Sequence, residues 1–228
     1  WGGNKNQGTA FGFLDAGRGV IAALIGGIGV FIFSKVLETG LNLENINEKQ
    51  EALRYVILFS SFFVTTVGFL VFNFMKSESN NKSLTNDLDY SSKTIKSVLK
   101  YRSIWLMMII IISAYVGYKI TDIYSLYAFE VMLYSETKAA KIASLQLYLR
   151  PIVCLIFGFL ADKSSSIKWI TIGFNIMLIG SLTFASGIIT NHMNLIFLLS
   201  LVITAVGTYA VRALYFSIFN EGKIPIKV

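Results

Sequence analysis

Two small groups of polar residues interrupt otherwise apolar sequence, and their types and spacing could do chemistry. Tyr115, Lys119 and Asp122 stand at i, i+4 and i+7, on one face of a helix, with Tyr118 flanking them. An amine on such a stripe can bind an anionic group of a solute, and the nearby carboxylate can orient the amine or exchange a proton. The same spacing also allows an i, i+3 ion pair that only neutralises itself, or a lysine reaching toward the membrane interface. Gln146, Arg150 and Pro151 form the second group, with Gln146 one turn before Arg150 on the same face. Proline removes a backbone donor and crowds the carbonyl four residues back, which predicts a kink. A guanidinium facing a cavity at that kink could hold a phosphate or carboxylate with two hydrogen bonds. The structural alternative is that Arg150 satisfies freed carbonyls or pairs with Asp122.

The elements that must position these residues are membrane spans. Of the 228 residues, 54% are hydrophobic and 14% charged, against about 25% charged in soluble domains. Mean hydropathy is +0.63. This excludes a soluble enzyme, a disordered tail and a collagen-like rod. Cys154 is the only cysteine, so a disulfide scaffold is excluded as well. Long apolar runs lie at Val20–Phe33, Tyr55–Met75, Ser103–Tyr118 continuing past Ile123, and Ile142–Ala161. From Trp169 to Val211 there are 43 residues without Asp, Glu, Lys or Arg, divided by the polar turn Thr190–Asn194 into two spans. Backbone groups in hydrocarbon must be paired, and no alternating strands are present, so six transmembrane helices are expected. The first run is followed by further spans and lacks a cleavage site, so it is not a signal peptide. The chain opens on Trp1 and reads as a fragment or processed product.

With six spans both termini share a side. That side holds thirteen Lys and Arg, the other five, and Lys119 and Arg150 stay in the membrane. The basic excess makes the first side cytoplasmic. A net charge of +7 is thereby explained by orientation, and nucleic acid is not needed as a partner. The segment Ser77–Lys100 breaks the composition, rich in Ser, Asn and Asp and ending in Lys93, Lys96 and Lys100. It reads either as a solvated linker or as a short helix on the membrane surface.

Phe11–Arg18 and Phe216–Lys223 match in register: Phe, a carboxylate or its amide, Gly and a base recur 205 residues apart. Such a repeat implies two similar halves related by an axis along the membrane normal. Between them, Gly158-Phe159-Leu160-Ala161-Asp162-Lys163 resembles the loop motif of the major facilitator superfamily, Gly-x-Leu-Ala-Asp-Arg-x-Gly-Arg-Arg. Ser165 and Ser166 depart from its later Gly and base positions, with Lys168 as a substitute base.

With its long linker, the whole chain resembles helices five to ten of such a twelve-helix transporter. Ala10–Gly19 and Tyr215–Pro225 are most similar to its sugar-phosphate and organic-anion permeases. The resemblance implies an all-α membrane protein with a partial two-bundle architecture. Residues 1–76 would supply the last two helices of one bundle, 77–102 the cytoplasmic linker and 103–228 the first four helices of the other. It implies a secondary active transporter of a small anionic organic solute working by alternating access, an antiporter or symporter coupled to a proton, another ion or an exchanged solute. The solute would meet Lys119, Asp122, Tyr115, Tyr118, Arg150 and Gln146. Asp162, Arg212 and Glu221 would form a network that stabilises the outward-facing state, with Asp15 and Arg18 as its counterpart in the other half. The alternative function is a membrane-embedded structural or sensory subunit without turnover.

Ala22 with Gly26, Ala23 with Gly27, and Gly173, Gly180 and Gly187 at seven-residue intervals predict close helix contacts. No His-Glu-x-x-His or Gly-x-Ser-x-Gly motif and no Walker pattern occurs, and the single histidine, His192, falls in an outer turn. An enzyme, a bound metal and a cofactor are therefore not expected. The expected location is a cell membrane, plasma or inner, with both termini cytoplasmic and the bilayer as partner. Without the remaining helices the 228 residues are not expected to transport.

Overall fold

The structure, a computed structural model, describes residues 6–39, 46–75 and 99–218. It is all-helical across the described residues, and six helices are long and apolar enough to cross a membrane. These are α1 (Gln7–Thr39), α2 (Ile46–Phe74), a third span made of α3 (Arg102–Ile120), a 3-10 turn (Thr121–Ile123) and α4 (Tyr124–Glu130), then α5 (Glu136–Lys163), α6 (Ser166–Ala185) and α7 (Asn194–Leu214). The chain is thus an integral membrane protein by its six apolar helices.

Two boundaries differ from the sequence expectation. Phe11–Arg18, expected in the loop before the first span, lies inside α1. A carboxylate can sit within that helix because Asp15 is buried against basic partners. The third span is not one continuous helix, since it tightens at Thr121–Ile123. There Gln146 donates from Nε2 to the Thr121 carbonyl at 3.0 Å, and the Thr121 hydroxyl donates to the Tyr118 carbonyl at 2.7 Å. A buried amide thus supports the backbone where the regular ladder is interrupted.

The chain forms two compact units, residues 1–27 with 102–227 and residues 28–101. This cuts through α1 rather than falling at the expected linker boundary. The reason is three glycines on one side of α1. A Cβ on Gly8 would lie 2.7 Å from the Gly158 carbonyl oxygen, one on Gly12 2.7 Å from that of Cys154, and one on Gly19 2.9 Å from Arg150 Cγ. The missing side chains let the first half of α1 lie directly on α5, as small-residue interfaces do in lipid. Gly26 and Gly27 continue the contact against Leu147 and Tyr148.

The core of the first unit is α7. Phe197, Leu201, Ala205, Tyr209, Val211 and Leu214 are essentially inaccessible, and α6 and α5 pack along it. Gly173 and Gly180 of α6 meet Val211 and Thr204, so the predicted small-residue stripe is present. Gly187 is not part of it. It follows the end of α6 at φ +70°, a left-handed conformation that glycine adopts without a Cβ penalty. At the other end of the bundle Tyr124, Tyr127, Phe184 and Phe197 stack in a second aromatic cluster.

In the second unit, the apolar side chains of α2 such as Phe62, Phe69 and Phe72 are exposed. Its polar residues turn inward on the helix itself: Ser60, Thr65, Thr66 and Asn73 each donate to the carbonyl four residues earlier. That pairing lets polar residues occupy a span without leaving a donor unsatisfied. Of the Ser77–Lys100 stretch, expected as a solvated linker or a surface helix, residues 77–98 lie outside the described residues, and Leu99 and Lys100 form a turn before α3.

Candidate functional site

Asp15 is the centre of the site. It is the one buried acidic side chain among the described residues, and it faces two arginines from two other helices. Arg150, at the middle of α5, donates from Nη2 to Asp15 Oδ1 at 2.7 Å and from Nε to Oδ2 at 3.2 Å. This two-point fork fixes geometry as well as charge. Arg212, in the last turn of α7, brings its Nε to 3.5 Å of Asp15 Oδ1. That contact is an ion pair without hydrogen-bond geometry, and the Arg212 Nε has no hydrogen-bond partner. The Cys154 thiol donates to Asp15 Oδ2 at 3.4 Å.

Aromatic rings close the group. The Arg212 guanidinium lies over the Tyr118 ring at 3.8 Å, a cation–π distance, and Arg150 is 5.7 Å from the same ring and 5.9 Å from that of Tyr209. The Tyr209 hydroxyl is buried and has no hydrogen-bond partner. Among the described residues, two guanidinium cations face one carboxylate in a region where Asp15 and Arg150 are almost inaccessible. Burial makes each partner dependent on the others, since removing one leaves an uncompensated charge.

A second carboxylate joins the same helices nearer the start of α1. Asp162, near the end of α5, accepts from the backbone N–H groups of Gly8 and Thr9, both at 2.7 Å. These are first-turn donors of α1 that have no intrahelical acceptor, and the helix dipole adds to the attraction. Asp162 acts as an N-terminal cap delivered from another helix.

The remaining expected residues divide clearly. Lys119 pairs with Asp122 at 3.1 Å, and both side chains are more than half exposed. Tyr115 is exposed on the same face, and Tyr118 turns the other way to the arginines. The stripe thus lies on an open surface with its charges internally paired. Arg150 is closed by Asp15, not by Asp122 and not by carbonyls freed at Pro151. Gln146 supports the third-span turn through its amide nitrogen, and its Oε1 is buried without a partner. Arg18 is exposed. Asp162 and Arg212 hold α1 at two separate points, and Glu221 lies outside the described residues. His192 is exposed.

Sequence reasoning missed the pairing of Asp15 with Arg150 and the role of Gly8, Gly12 and Gly19. The available signal was the G-x-x-x-G spacing of Gly8 and Gly12 ahead of a lone acid in a span. Three pockets line up between α3 and α6, with Ile120 and Ser181 shared by two of them, and none is lined by a charged residue. Among the described residues no cluster of His, Cys, Asp and Glu could hold a metal ion. No family model, no curated protein and no solved structure matches this chain.

Proposed function

We propose that the chain is part of a secondary transporter for a small organic anion, built on the major facilitator plan and working by alternating access. The observation that carries this reading is one buried carboxylate shared by two arginines from different helices within a membrane span. Ionisable groups at that depth are costly and mark pathways or moving contacts. In this reading the first half of α1 belongs to one bundle and α5 and α7 to the other. Asp15 and Asp162 then fasten the two bundles together on the cytoplasmic side, with the basic excess setting the orientation. Opening inward breaks the Asp15 and Asp162 contacts. The exposed Tyr115–Lys119–Asp122 stripe supports the other part of the reading. Paired ions that are more than half exposed at bilayer depth need water rather than lipid beside them.

A second reading has a specific observation in its favour. Lys119 and Arg150 both already have acidic partners, as expected of a structural or sensory subunit whose charges only hold its helices together. Uptake separates the two. Proteoliposomes containing the complete reading frame, offered radiolabelled carboxylates and phosphate esters, should accumulate at least one of them in a saturable way. Uptake no faster than in empty liposomes across both solute classes would leave the structural reading standing.

A further inference from the structure

The first unit carries a groove along the seam of α3 and α6, two helices that start at the same end of the unit. It is widest at that end, where it forms a cavity of about 520 Å³. Leu106, Ile110, Ile170 and Phe174 line it, together with Thr171 and Asn175. These two polar residues turn their donors back on their own helix. The Thr171 hydroxyl donates to the Ile167 carbonyl at 3.0 Å, and Asn175 Nδ2 to the Thr171 carbonyl at 2.9 Å. The wall therefore needs no polar donor or acceptor from its occupant and suits hydrocarbon. Its lining residues extend over Ser103–Ile110 on α3 and Ile167–Asn175 on α6. At about 1.5 Å per residue these stretches are roughly 10–12 Å deep. That is most of one leaflet of a hydrocarbon core about 30 Å thick.

The mouth of the groove is cationic. Arg102 precedes the lining residue Ser103, and Lys168 follows the lining residue Ile167. Both are exposed, and neither has an acidic partner among the described residues. Arg102 opens α3 and Lys168 lies in the first turn of α6, and neither helix has an acidic residue in its first turn. A cation at a helix N-terminus opposes the helix dipole, so an anion at this end relieves both.

We propose that this groove seats an anionic phospholipid, with one acyl chain between α3 and α6 and the phosphate held by Arg102 and Lys168. The inference needs the membrane spans but not the transporter reading. On the orientation expected from the basic excess, this is the cytoplasmic leaflet, which carries anionic lipids. The two features select the occupant jointly. An apolar slot alone accepts any acyl chain, and two cations alone accept any phosphate. A free phosphate leaves the slot unfilled, and a zwitterionic lipid brings its own cation against Arg102 and Lys168. Each basic residue at such a surface raises affinity for an anionic lipid about fivefold, so the pair gives roughly 25-fold.

Native mass spectrometry of the 228-residue chain in micelles reads the occupancy. The chain is titrated with dioleoyl phosphatidylglycerol or dioleoyl phosphatidylcholine. The first phosphatidylglycerol should be held at least about tenfold more tightly than phosphatidylcholine. Glycerol 3-phosphate, which has the phosphate without the chains, should not displace it. Arg102→Gln combined with Lys168→Gln should erase the preference. Lys138→Gln, which removes a cation beside Tyr134 near the start of α5, should keep it. Thr171→Trp fills the slot and should weaken retention of both lipids several-fold. Equal retention of the two lipids by the parent chain overturns the proposal. So do equal losses in Lys138→Gln and the double variant, displacement by glycerol 3-phosphate, or full retention in Thr171→Trp. A dimer that forms in place of bound lipid also overturns it and assigns the groove to a second copy of the chain. Circular dichroism checks the helix content of each variant. Should a variant lose its helices, the parent chain decides. Dihexanoyl phosphatidylglycerol has the same headgroup on short chains and should be held several-fold more weakly than the dioleoyl lipid. Equal retention of those two overturns the proposal.

Discussion

Two ion pairs among the described residues use the same chemistry in opposite settings. Lys119 and Asp122 sit one turn apart where α3 passes into the 3-10 turn, more than half exposed. Asp15 and Arg150 come from different helices, 135 residues apart in sequence, with side chains only 6% and 4% accessible. The first pair is local, so forming it orders little else, and solvent competes for both ions. The second was taken out of water by helix packing, and its energy is inseparable from the contact of α1 with α5. An exposed pair can exchange partners cheaply. A buried pair holds two elements together until something replaces one of its members.

That contrast can be broken at its strongest point first. Arg150→Gln leaves Asp15 with the poorly aligned Arg212 and the weak Cys154 thiol donor, and should cost about 3–5 kcal/mol of stability, read by reversible unfolding in mixed micelles. A loss below about 1 kcal/mol, no more than a surface pair contributes, would erase the distinction between the two pairs. Gly12→Val tests the packing rather than the charge. Its Cβ would collide with backbone of α5, so a cost of about 1–3 kcal/mol is expected, together with faster labelling of Cys154. A variant as stable and as protected as the parent would mean that α1 does not need this close approach. Asp162→Asn removes the charge from the cap on Gly8 and Thr9 but keeps an acceptor, and should cost about 0.5–2 kcal/mol. Lys119→Ala should have the smallest effect on stability, under about 1 kcal/mol. In the proposed function its effect appears in uptake, which should fall at least about tenfold, or about 1.4 kcal/mol. Wild-type uptake with a normally inserted Lys119→Ala protein would remove that lysine from the solute path.

The six spans were legible because their signal is local and redundant: each is a run of apolar residues bounded by charges or by a polar turn. The third-span break at Thr121 was not legible, since its cause is a hydrogen bond from Gln146, 25 residues away. For the candidate site the sequence exposed the participants and hid the partnerships. Arg150 stands out as a charge amid apolar residues, and so does Lys119. Spacing alone made Asp122 the nearest acid to offer Arg150. The actual partner, Asp15, lies near the start of α1, where its distance from the charge-free run suggested a loop. Only the approach of Gly8, Gly12 and Gly19 to α5 brings it to Arg150, and such tertiary contacts leave little trace in periodicity. Asp162 was placed correctly at a helix end, but its partners are backbone N–H groups, which no residue type advertises.

A double-mutant cycle on Asp15→Asn and Arg150→Gln, with unfolding free energies in mixed micelles as the readout, tests most directly whether one carboxylate holds these helices together. The account predicts strong coupling, with the double variant better than the sum of the singles by about 1.5–3 kcal/mol, because removing both partners leaves no orphaned charge on either side. Additivity within about 0.5 kcal/mol would contradict it.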